Sequence, residues 1–546
     1  MPPSNHWRNP ALAPEPLVEA SAGGRLITAS HSRLLWVGVF APVLFAALAY
    51  MALRPPSVDL AAQLFRVELF STHGFLAWNN YWYGGHYTLG YSLLFPPLGA
   101  AVGATVAGGL AAIVATVMFG LLVARHYESG ARLATLWFGA GTITMLLSGR
   151  LTFALGVAIG LSALVAYDRD RLFLALPLAL ATPFASPVAG VFLALIGCAL
   201  ALTGARRRGA ALAACAGAPI AVTALAFPSA GLEPFVLSSL AGTVVVTLAI
   251  YLILPRRERL MRCTVALYGA AVLCAFAIPN ALGGNITRLS VLAAGPVSVL
   301  ALAGRRNLRL LALLLAVPLL YWQWQGAVRD FSRASADPSV QREFYVPLLA
   351  ELRERTGGAP VRIEIPPTLD RWEAYYVSPK FLLARGWERQ QEAEEHHLFE
   401  SALTASSYRN WLLSNGVSYV ALPDARLDYL SQREKVLINR GLPYLDPVWS
   451  NSDWRLFAVR GATGLVDHPA RVTSLGPDWF NLSVPKASNF RLRIHFSPYW
   501  KVTGAGVCLR AQGPWTLVEA TRPGRIHVGT GLSTDGLFGR HRVCSE

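Results

Sequence analysis

The residues best suited to chemistry lie in one segment of about forty residues between the first apolar run of the chain and the next. This segment, Pro56–Pro97, contains the carboxylate of Asp59, the guanidinium of Arg66, the imidazoles of His73 and His86, and many Trp, Tyr, Asn and Gly residues. A connecting loop of this length that is rich in hydrogen-bonding and stacking groups is typical of a functional surface. We therefore predict that the segment contributes to a functional site.

The composition indicates the environment in which that segment lies. The chain is 53% apolar and only 15% charged, which is typical of a polytopic membrane protein. Its formal net charge of +16 comes largely from arginine clusters between apolar runs, at Arg206–Arg208, Arg256–Arg262 and Arg305–Arg309. Such clusters are expected in short cytoplasmic loops. The positive charge is therefore assigned to membrane topology, and no nucleic-acid partner is predicted.

Eleven apolar runs are candidates for membrane spans, and the arginine clusters orient them. If 88–124 crosses the membrane once, every cluster falls on the cytoplasmic side, whereas two crossings place every later cluster outside. The single crossing is favoured, although the sequence leaves both open. We expect a multi-pass protein of the cell membrane with a cytoplasmic N-terminus and an extracytoplasmic C-terminal domain. The runs are 34–53, 104–124, 132–148, 152–167, 172–185, 188–204, 209–227, 236–254, 263–279, 289–303 and 310–324.

The expected fold class is an α-helical polytopic membrane protein with a C-terminal α/β plus β-sandwich-like region. Strand-like segments such as RIEI and VSYVALP alternate with helical ones up to about residue 466, and short strands separated by Gly and Pro follow. Cys508 and Cys544 lie in this last part, where they could form a disulfide if it is extracytoplasmic. The predicted parts are a cytoplasmic leader 1–33, a membrane domain 34–325 with a large outer loop 54–97, a linker 326–340, an α/β subdomain 341–466 and a β-rich subdomain 467–546.

The outer loop has a recognisable pattern of an acid, a base, glycines and aromatic residues. The residues that form it are Asp59, Arg66, Gly74, Trp78, Gly84, Gly85, Tyr91 and Pro97. This pattern resembles that of the GT-C superfamily of integral-membrane glycosyltransferases, and more narrowly the bacterial YfhO-like and PTPS-related membrane proteins. Gln63 stands where many of these relatives carry His, and the later phrases GVSYVALP and FSPYWKV look like their outer domain. The resemblance covers most of the chain as architecture but only this loop as a motif.

The resemblance implies transfer of a sugar from a polyprenyl-phosphate donor to a cell-envelope glycan or lipid acceptor at the outer face of the membrane. In that reaction Asp59 would act as the general base, and Arg66, Arg150 and Arg288 would bind the donor phosphate. No metal ligand set is predicted, and whether a divalent cation assists is left open. The implied substrate-binding residues are Gln63, Trp78, Asn79, Tyr81, Trp82, Tyr83 and His86.

Each of these residues also has a structural interpretation that the sequence does not exclude. Asp59 could cap a short interfacial helix, and Arg66 could pair with Glu68 or reach lipid headgroups. Tyr81–Tyr83 could form an aromatic belt at the membrane interface, and Arg150 could anchor a helix end.

A second candidate contact lies in the C-terminal third of the chain. The phrase ARGWERQ places Trp387 between Arg385 and Arg389, which suits contact with a carbohydrate. The alternative is a buried tryptophan flanked by solvated arginines. The EAEEHH run that follows has the composition of a solvated helix.

Two further functions compete with glycosyl transfer. The number of apolar runs also suits a transporter or a flippase for a lipid carrier or polysaccharide, but these runs contain almost no charged residues at mid-membrane depth. A non-catalytic scaffold is the third possibility, and Gln63 in place of His keeps it open. The distinguishing feature is whether Asp59 lines a water-filled cavity together with Arg150 or Arg288.

Overall fold

The computed structural model describes residues 22–228, 231–531, 534–537 and 541–545. The chain forms two compact units, each of which is discontinuous in sequence. The first contains the chain up to Gln63, Tyr91–Val222 and Glu233–Ser332, and the second contains Leu64–Gly90, Thr223–Leu232 and the chain from Arg333. Most of the predicted outer loop therefore folds with the C-terminal part of the chain, whereas the sequence placed it in the membrane domain.

The first unit is helical. Every predicted apolar run corresponds to one helix, from α1 and then α4 to α13, and extends at most two residues beyond either end of it. Seven of the described helices are long and apolar enough to cross a membrane, provided that α12 is counted together with the 3₁₀ turn Gly283–Thr287 before it. The helices α5, α7, α8 and α10 are too short by this measure, and eleven spans remain a prediction. The helices are α1 (Ala22–Leu53), α2 (Leu60–His73), α3 (Phe95–Val102), α4 (Ala104–His126), α5 (Ala131–Leu147), α6 (Leu151–Asp168), α7 (Leu172–Ala185), α8 (Pro187–Leu202), α9 (Arg206–Ala226), α10 (Leu237–Ile253), α11 (Arg259–Ala277), α12 (Arg288–Leu302) and α13 (Arg309–Ser335). The part of α2 from Leu64 onward, and the last residues of α9 and α13, belong to the second unit.

Both ends of the predicted membrane domain differ in the structure. Residues 1–21 of the leader lie outside the described residues, and α1 already begins at Ala22. The predicted linker 326–340 is helical as far as Ser335, because α13 continues through the polar sequence RDFSRAS. The fall in hydropathy there does not end the helix, since polar residues such as Arg and Gln are good helix formers.

The segment 88–124 contains two helices of unequal length. Gly103, with a φ of +90°, separates α3 from α4. With eight residues α3 is about 12 Å long, far short of the roughly 30 Å apolar core of a bilayer. The 23-residue α4 is long enough to cross it, which agrees with the predicted single crossing.

Small residues let the central helices of the first unit approach closely. A Cβ on Gly108 of α4 would lie 2.7 Å from Leu151 of α6, and one on Gly156 of α6 would lie 2.7 Å from Ala189 of α8. Phe119 of α4 stacks on Phe138 of α5, with ring centroids 4.2 Å apart. This packing orients the N-terminal end of α6, where Arg150 lies.

The second unit begins with an α/β layer. A five-stranded sheet of order β4-β3-β5-β7-β6 is parallel between β4, β3 and β5 and antiparallel for the remaining pairs. Its elements are α14 (Arg342–Thr356), β3 (Arg362–Glu364), α15 (Glu373–Tyr376), β4 (Leu382–Leu383), α16 (Ala393–His397), α17 (Ala405–Ser414), β5 (Val417–Pro423), α18 (Gln432–Asn439), β6 (Leu445–Ser450) and β7 (Trp454–Val459); a hairpin of β1 (Trp78–Asn79) and β2 (His86–Tyr87) precedes them in the chain.

Two antiparallel four-stranded sheets complete the second unit, with orders β10-β13-β12-β15 and β11-β14-β9-β8. One apolar core contains side chains from both sheets, among them Leu492 and Val518 from the first and Phe480 and Ile526 from the second. The predicted β-sheet region is therefore confirmed. Its elements are β8 (Arg471–Leu475), β9 (Trp479–Val484), β10 (Ser488–His495), β11 (Trp500–Thr503), β12 (Val507–Gln512), β13 (Trp515–Ala520), β14 (Gly524–Thr530), α19 (Thr534–Leu537) and β15 (Arg542–Cys544).

A disulfide joins the edge of this region. Cys508 of β12 lies opposite Cys544 of β15 in the antiparallel ladder, and their sulfur atoms are bonded. The bond closes a loop of 36 residues, which holds the last described strand of the chain on the sheet.

Candidate functional site

In the first unit, Asp59 is held by the tight turn between α5 and α6. Its backbone N–H donates to the carbonyl of Ser148 at 3.2 Å, and α2 begins at the next residue. Gly149 in the turn has a φ of +73°, and a Cβ there would lie 2.6 Å from both the backbone nitrogen of Leu60 and the Oγ of Ser57. Glycine is therefore required for the backbone around Asp59 to approach the turn this closely.

Two arginines lie beside the Asp59 carboxylate. The Nε of Arg150 is 3.7 Å from Oδ2 of Asp59, and a terminal guanidinium nitrogen of Arg288 is 3.9 Å from the same oxygen. Both separations exceed hydrogen-bond length, so each guanidinium attracts the Asp59 carboxylate without a fixed donor–acceptor geometry. The guanidinium of Arg288 is also positioned over the ring of Phe153, 5.5 Å from its centroid. The structure thus brings together three of the residues that the sequence predicted.

A second carboxylate, which the sequence analysis missed, belongs to the same group. Asp330 of α13 accepts a 3.4 Å hydrogen bond from the Oγ of Ser148, in the turn that also contacts Asp59. Its side chain is 15% exposed, close to the 16% of Asp59, and it interacts electrostatically with Arg150 and Asp59. In the sequence, Asp330 is recognisable only as an acid just beyond the last apolar run, within the segment 326–340 that is predicted to be a linker.

Gln63 lies one turn along α2 from Asp59 and is buried. Its side-chain amide nitrogen donates to the hydroxyl of Tyr91 at 2.9 Å. The Tyr91 hydroxyl and the Glu233 carboxylate both act electrostatically on Arg288. Gln63 therefore acts on Arg288 indirectly, through its hydrogen bond to Tyr91. This role requires no charge, so an amide side chain is sufficient.

Helix N-termini add partial positive charge to this group. Asp59 directly precedes α2 and Arg150 directly precedes α6, whereas Arg288 begins α12 after a 3₁₀ turn, Gly283–Thr287. Two helix N-termini therefore meet here, and each carries a partial positive charge. We call Asp59, Arg150, Arg288 and Asp330 the acid–arginine cluster. It can bind an anion such as a phosphate and can accept a proton at a carboxylate.

The described residues contain no group of three or more His, Cys, Asp or Glu side chains arranged to hold a metal ion. Asp59 and Asp330 contribute two carboxylates to the cluster, and each has arginine beside it. The chemistry that the cluster offers is therefore that of carboxylates and guanidiniums.

Arg66 does not have the environment that was predicted for a phosphate-binding residue. It belongs to the second unit, where it is buried and forms an ion pair with Glu388 rather than with Glu68. Its guanidinium lies 5.9 Å from the ring centroids of both Trp82 and Trp387. The charge of Arg66 is thus already balanced within the second unit, which corrects the prediction.

The aromatic residues of the loop are also corrected, because most of them are core residues. Trp78 is 2% exposed and packs edge to face on Tyr87 and Trp500, with centroids 4.9 Å and 5.2 Å away. Trp82 is fully buried, and His86 stacks on it at 5.6 Å. Their ring faces are occupied by protein, so a sugar cannot stack on them.

Asn79, Tyr81 and Tyr83 of the loop also have protein partners. The side-chain oxygen of Asn79 accepts from the backbone N–H of Tyr81 at 3.1 Å, and the Tyr83 hydroxyl donates to Glu392 at 3.4 Å. Asn79 and Tyr83 are buried, whereas Tyr81 is half-buried and packs edge-on against Phe65. Burial lowers the pKa of His86, which favours its neutral form.

The ARGWERQ phrase is part of a buried charge network rather than a carbohydrate surface. Arg385 is 3% exposed and bonds Glu364 and Glu434, whereas Trp387 is half-buried. Glu392, from the run interpreted as a solvated helix, is buried and bonds Arg371. The interpretation of solvated arginines is wrong for Arg385.

A buried carboxyl in the second unit predicts a pH dependence of its stability. Burial is the main reason why the pKa of Glu373 rises from 4.5 to about 7, although its oxygens accept from the N–H and hydroxyl of Thr368 at 3.2 Å and 2.6 Å. The folded form keeps a proton that the unfolded chain loses above pH 4.5. Stability should therefore fall as the pH rises from about 4.5 to 7 and then level off.

The substitution Glu373→Gln should flatten this dependence. Above pH 7 we expect the variant to be more stable than the wild type by roughly 3 kcal/mol, since each pKa unit is worth about 1.4 kcal/mol. Thermal unfolding of the full chain in detergent, followed by tryptophan fluorescence between pH 4 and 8, measures this. The exposed Glu354→Gln on α14 is the control, and equal slopes for all three proteins would contradict the prediction.

Comparisons with known proteins find only a distant structural likeness. No protein-family model and no curated protein sequence matches the chain. The cryo-EM structure of arabinofuranosyltransferase AftD from Mycobacteria is 11% identical over 94% of this chain and 58% of its own, with a TM-score of 0.38. A mutant of the same protein is 14% identical over 90% and 58%, with a TM-score of 0.34. The chain thus spans under three fifths of AftD, and a likeness this low carries no inference about fold or activity.

Proposed function

We propose that this protein is a membrane glycosyltransferase that moves a sugar from a polyprenyl-phosphate donor to a glycan or lipid acceptor of the cell envelope. One observation carries the proposal, namely that Asp59 lies within 4 Å of both Arg150 and Arg288. An acid beside two guanidiniums offers a proton acceptor and a phosphate-binding pair in one place. This proximity is one half of the feature expected to distinguish glycosyl transfer from a scaffold, the other half being a water-filled cavity beside Asp59.

The proposed reaction assigns one role to each member of the acid–arginine cluster. Arg150 and Arg288 bind the donor phosphate and stabilise the negative charge that develops as the bond between the sugar and the phosphate breaks. An acceptor hydroxyl attacks the anomeric carbon and loses its proton to Asp59. Asp330 acts as a positioning residue, because its negative charge holds Arg150 beside Asp59. The products are the glycosylated acceptor and the polyprenyl phosphate.

The proposed location is the outer face of the cell membrane, with the second unit extracytoplasmic. The arginine clusters support this orientation, since Arg206–Arg208 and Arg305–Arg309 lie at the ends of helices away from Asp59. The disulfide between Cys508 and Cys544 supports it independently, because such bonds persist in oxidising compartments. The partners would then be membrane lipid, the polyprenyl-phosphate donor and the glycan acceptor.

The direct test is a donor panel. Membranes that contain the wild-type protein, and matched membranes without it, are supplied with a set of radiolabelled polyprenyl-phosphate sugars and with cell-envelope acceptor. We expect one donor to be consumed only when the protein is present, with label appearing in a glycan or lipid. Consumption of no donor by folded protein across the panel would contradict the proposal.

The turn that holds Asp59 gives a second prediction. We expect Gly149→Ala to lower transfer at least about tenfold, because the added Cβ pushes the backbone of Ser57–Leu60 away and moves Asp59 from Arg150. Gly103→Ala is the matched control, since Gly103 also has a positive φ but the nearest atom to its Cβ would be 4.0 Å away. Equal losses in the two variants, measured with the donor that the wild type uses, would assign the effect to backbone strain alone.

One observation favours the scaffold as the second candidate. Most of the loop aromatics that would contact a sugar are core residues of the second unit, which leaves the acid–arginine cluster to carry the catalytic proposal. A scaffold would bind a partner without consuming any donor. The donor panel therefore separates the two functions.

A further inference from the structure

A polar cavity of about 720 Å³ lies in the first unit at the opposite ends of the helices that begin at the acid–arginine cluster. It is lined by the C-terminal ends of α4, α6 and α12 and by the loop that precedes α11. Since α6 has 18 residues, its two ends are about 27 Å apart, close to the thickness of the apolar core of a bilayer. The cavity therefore lies near the other membrane boundary and is separate from the proposed transfer site.

An apolar groove of about 290 Å³ adjoins this cavity. The two share Ala303, Gly304 and Arg305, and the groove continues along Leu133, Leu302 and Ala312 between the start of α5 and the start of α13. Leu133 is 56% exposed and Leu310 of α13 is 70% exposed, so an apolar surface continues outward from the groove. A polar cavity that continues into an apolar groove at a membrane boundary has the form of a lipid site.

The charges that line the polar cavity are balanced. Three arginines and three acids line it, namely Arg125, Arg257, Arg305, Glu128, Asp168 and Glu258. The Asp168 carboxylate is occupied, because Arg125 lies 3.1 Å from one oxygen and His126 lies 2.8 Å from the other.

The other charged groups of the lining are available to a ligand. Glu258 accepts a hydrogen bond from Tyr127 at 3.3 Å, and no ion pair of Arg257 or Arg305 is found within the described part of the chain. Arg257 and Arg305 therefore remain for the negative group of a ligand, and Glu128 and Glu258 remain for its positive group.

We propose that the cavity and the groove together bind one zwitterionic membrane phospholipid with a phosphoethanolamine headgroup. Arg257 and Arg305 bind its phosphate, and Glu128 and Glu258 bind its ammonium group. One acyl chain occupies the groove along Leu133 and Ala312. Arginine suits the phosphate because its planar guanidinium binds two oxygens at once.

The test is native mass spectrometry of the purified, delipidated full chain in detergent, titrated with phosphatidylethanolamine, phosphatidylglycerol or inorganic phosphate. We expect a one-to-one phosphatidylethanolamine complex whose Kd rises at least about tenfold in Arg257→Ala/Arg305→Ala. Ala312→Trp should raise the Kd similarly by filling the groove. Arg257→Lys/Arg305→Lys should retain part of the affinity, because it keeps both charges.

The matched control is Arg206→Ala/Arg207→Ala, which removes two exposed arginines that line neither cavity. Its affinity should equal that of the wild type. Phosphatidylglycerol binding as tightly as phosphatidylethanolamine would overturn the proposal, since it lacks the ammonium group. Equal affinity for inorganic phosphate would instead indicate a free-anion site, and unchanged affinity in every variant would exclude this location.

Discussion

Asp59→Asn is expected to lower the rate constant for sugar transfer by about 10²–10⁴-fold, the usual contribution of a general base. The amide keeps the shape of the side chain but cannot accept the proton of an acceptor hydroxyl. Because Asn also removes the negative charge beside Arg150 and Arg288, the KM for the donor should not rise. A loss in kcat without a rise in KM indicates an interaction that is made in the transition state.

The control for Asp59→Asn is Asp170→Asn in the turn after α6. Asp170 is exposed, pairs with Arg208 at 2.6 Å and has a φ of +58°, which Asn tolerates as well as Asp does. Its variant should transfer sugar at the wild-type rate. Initial rates with increasing donor, at equal amounts of inserted protein, give kcat and KM for all three proteins. A normal rate in Asp59→Asn would refute the role of Asp59 while leaving the transfer activity intact.

The sequence could predict Arg150 and Arg288 because each lies at the boundary of an apolar run, and Asp59 because it is the first acid of the outer loop. The positions of the arginine clusters placed all three residues on one side of the membrane, and in the structure both guanidiniums lie within 4 Å of the Asp59 carboxylate. Asp330 could not be found in this way. Its neighbours are polar, and a fall in hydropathy marks the exit from the membrane as well as the end of a helix. Only the continuation of α13 to Ser335 places it beside Ser148.

The loop aromatics were misassigned for a different physical reason. A Trp or Tyr that stacks on a ligand and one that packs in a core are identical in sequence, and the difference depends on contacts distant along the chain. Trp78 packs on Trp500, and the backbone N–H of Leu383 bonds the carbonyl of Tyr81 at 2.8 Å. Periodicity within the loop carries no information about partners three hundred or more residues away.

The buried charges of the α/β layer could not be predicted either, because their partners are also distant along the chain. A substitution among these charges is expected to have the largest effect on stability. Arg385 lies between Glu364 and Glu434, with its Nε donating to Glu364 at 2.9 Å, and Tyr408 donates to Glu434 at 2.6 Å. Burial is the main cause that raises the pKa of Glu364 well above its usual value, and the neighbouring Arg385 opposes this rise. Arg385 is therefore the cation that both buried carboxyl groups share.

Arg385→Met should destabilise the second unit by about 3–5 kcal/mol, because removing one partner of a buried ion pair leaves the others without compensation. Amide hydrogen exchange of the full chain in detergent measures this as faster exchange in β3 and β5, which contain or neighbour Glu364. Arg460→Met is the matched control. Arg460 is 65% exposed and pairs with Asp446 at the surface, so its loss should leave exchange unchanged.

Arg385→Met removes a buried charge and also changes the packing against Phe399, whose ring centroid lies 4.0 Å from the Arg385 guanidinium. A further variant separates these two effects. The triple variant Glu364→Gln/Arg385→Met/Glu434→Gln removes all three charges, and the Tyr408 hydroxyl can still donate to the new amide oxygen at position 434. Replacing a whole buried ionic group by neutral residues is often close to neutral in stability. We therefore expect exchange in β3 and β5 to return most of the way to the wild-type rate. If the triple variant exchanges as fast as Arg385→Met alone, packing rather than charge determines the contribution of Arg385.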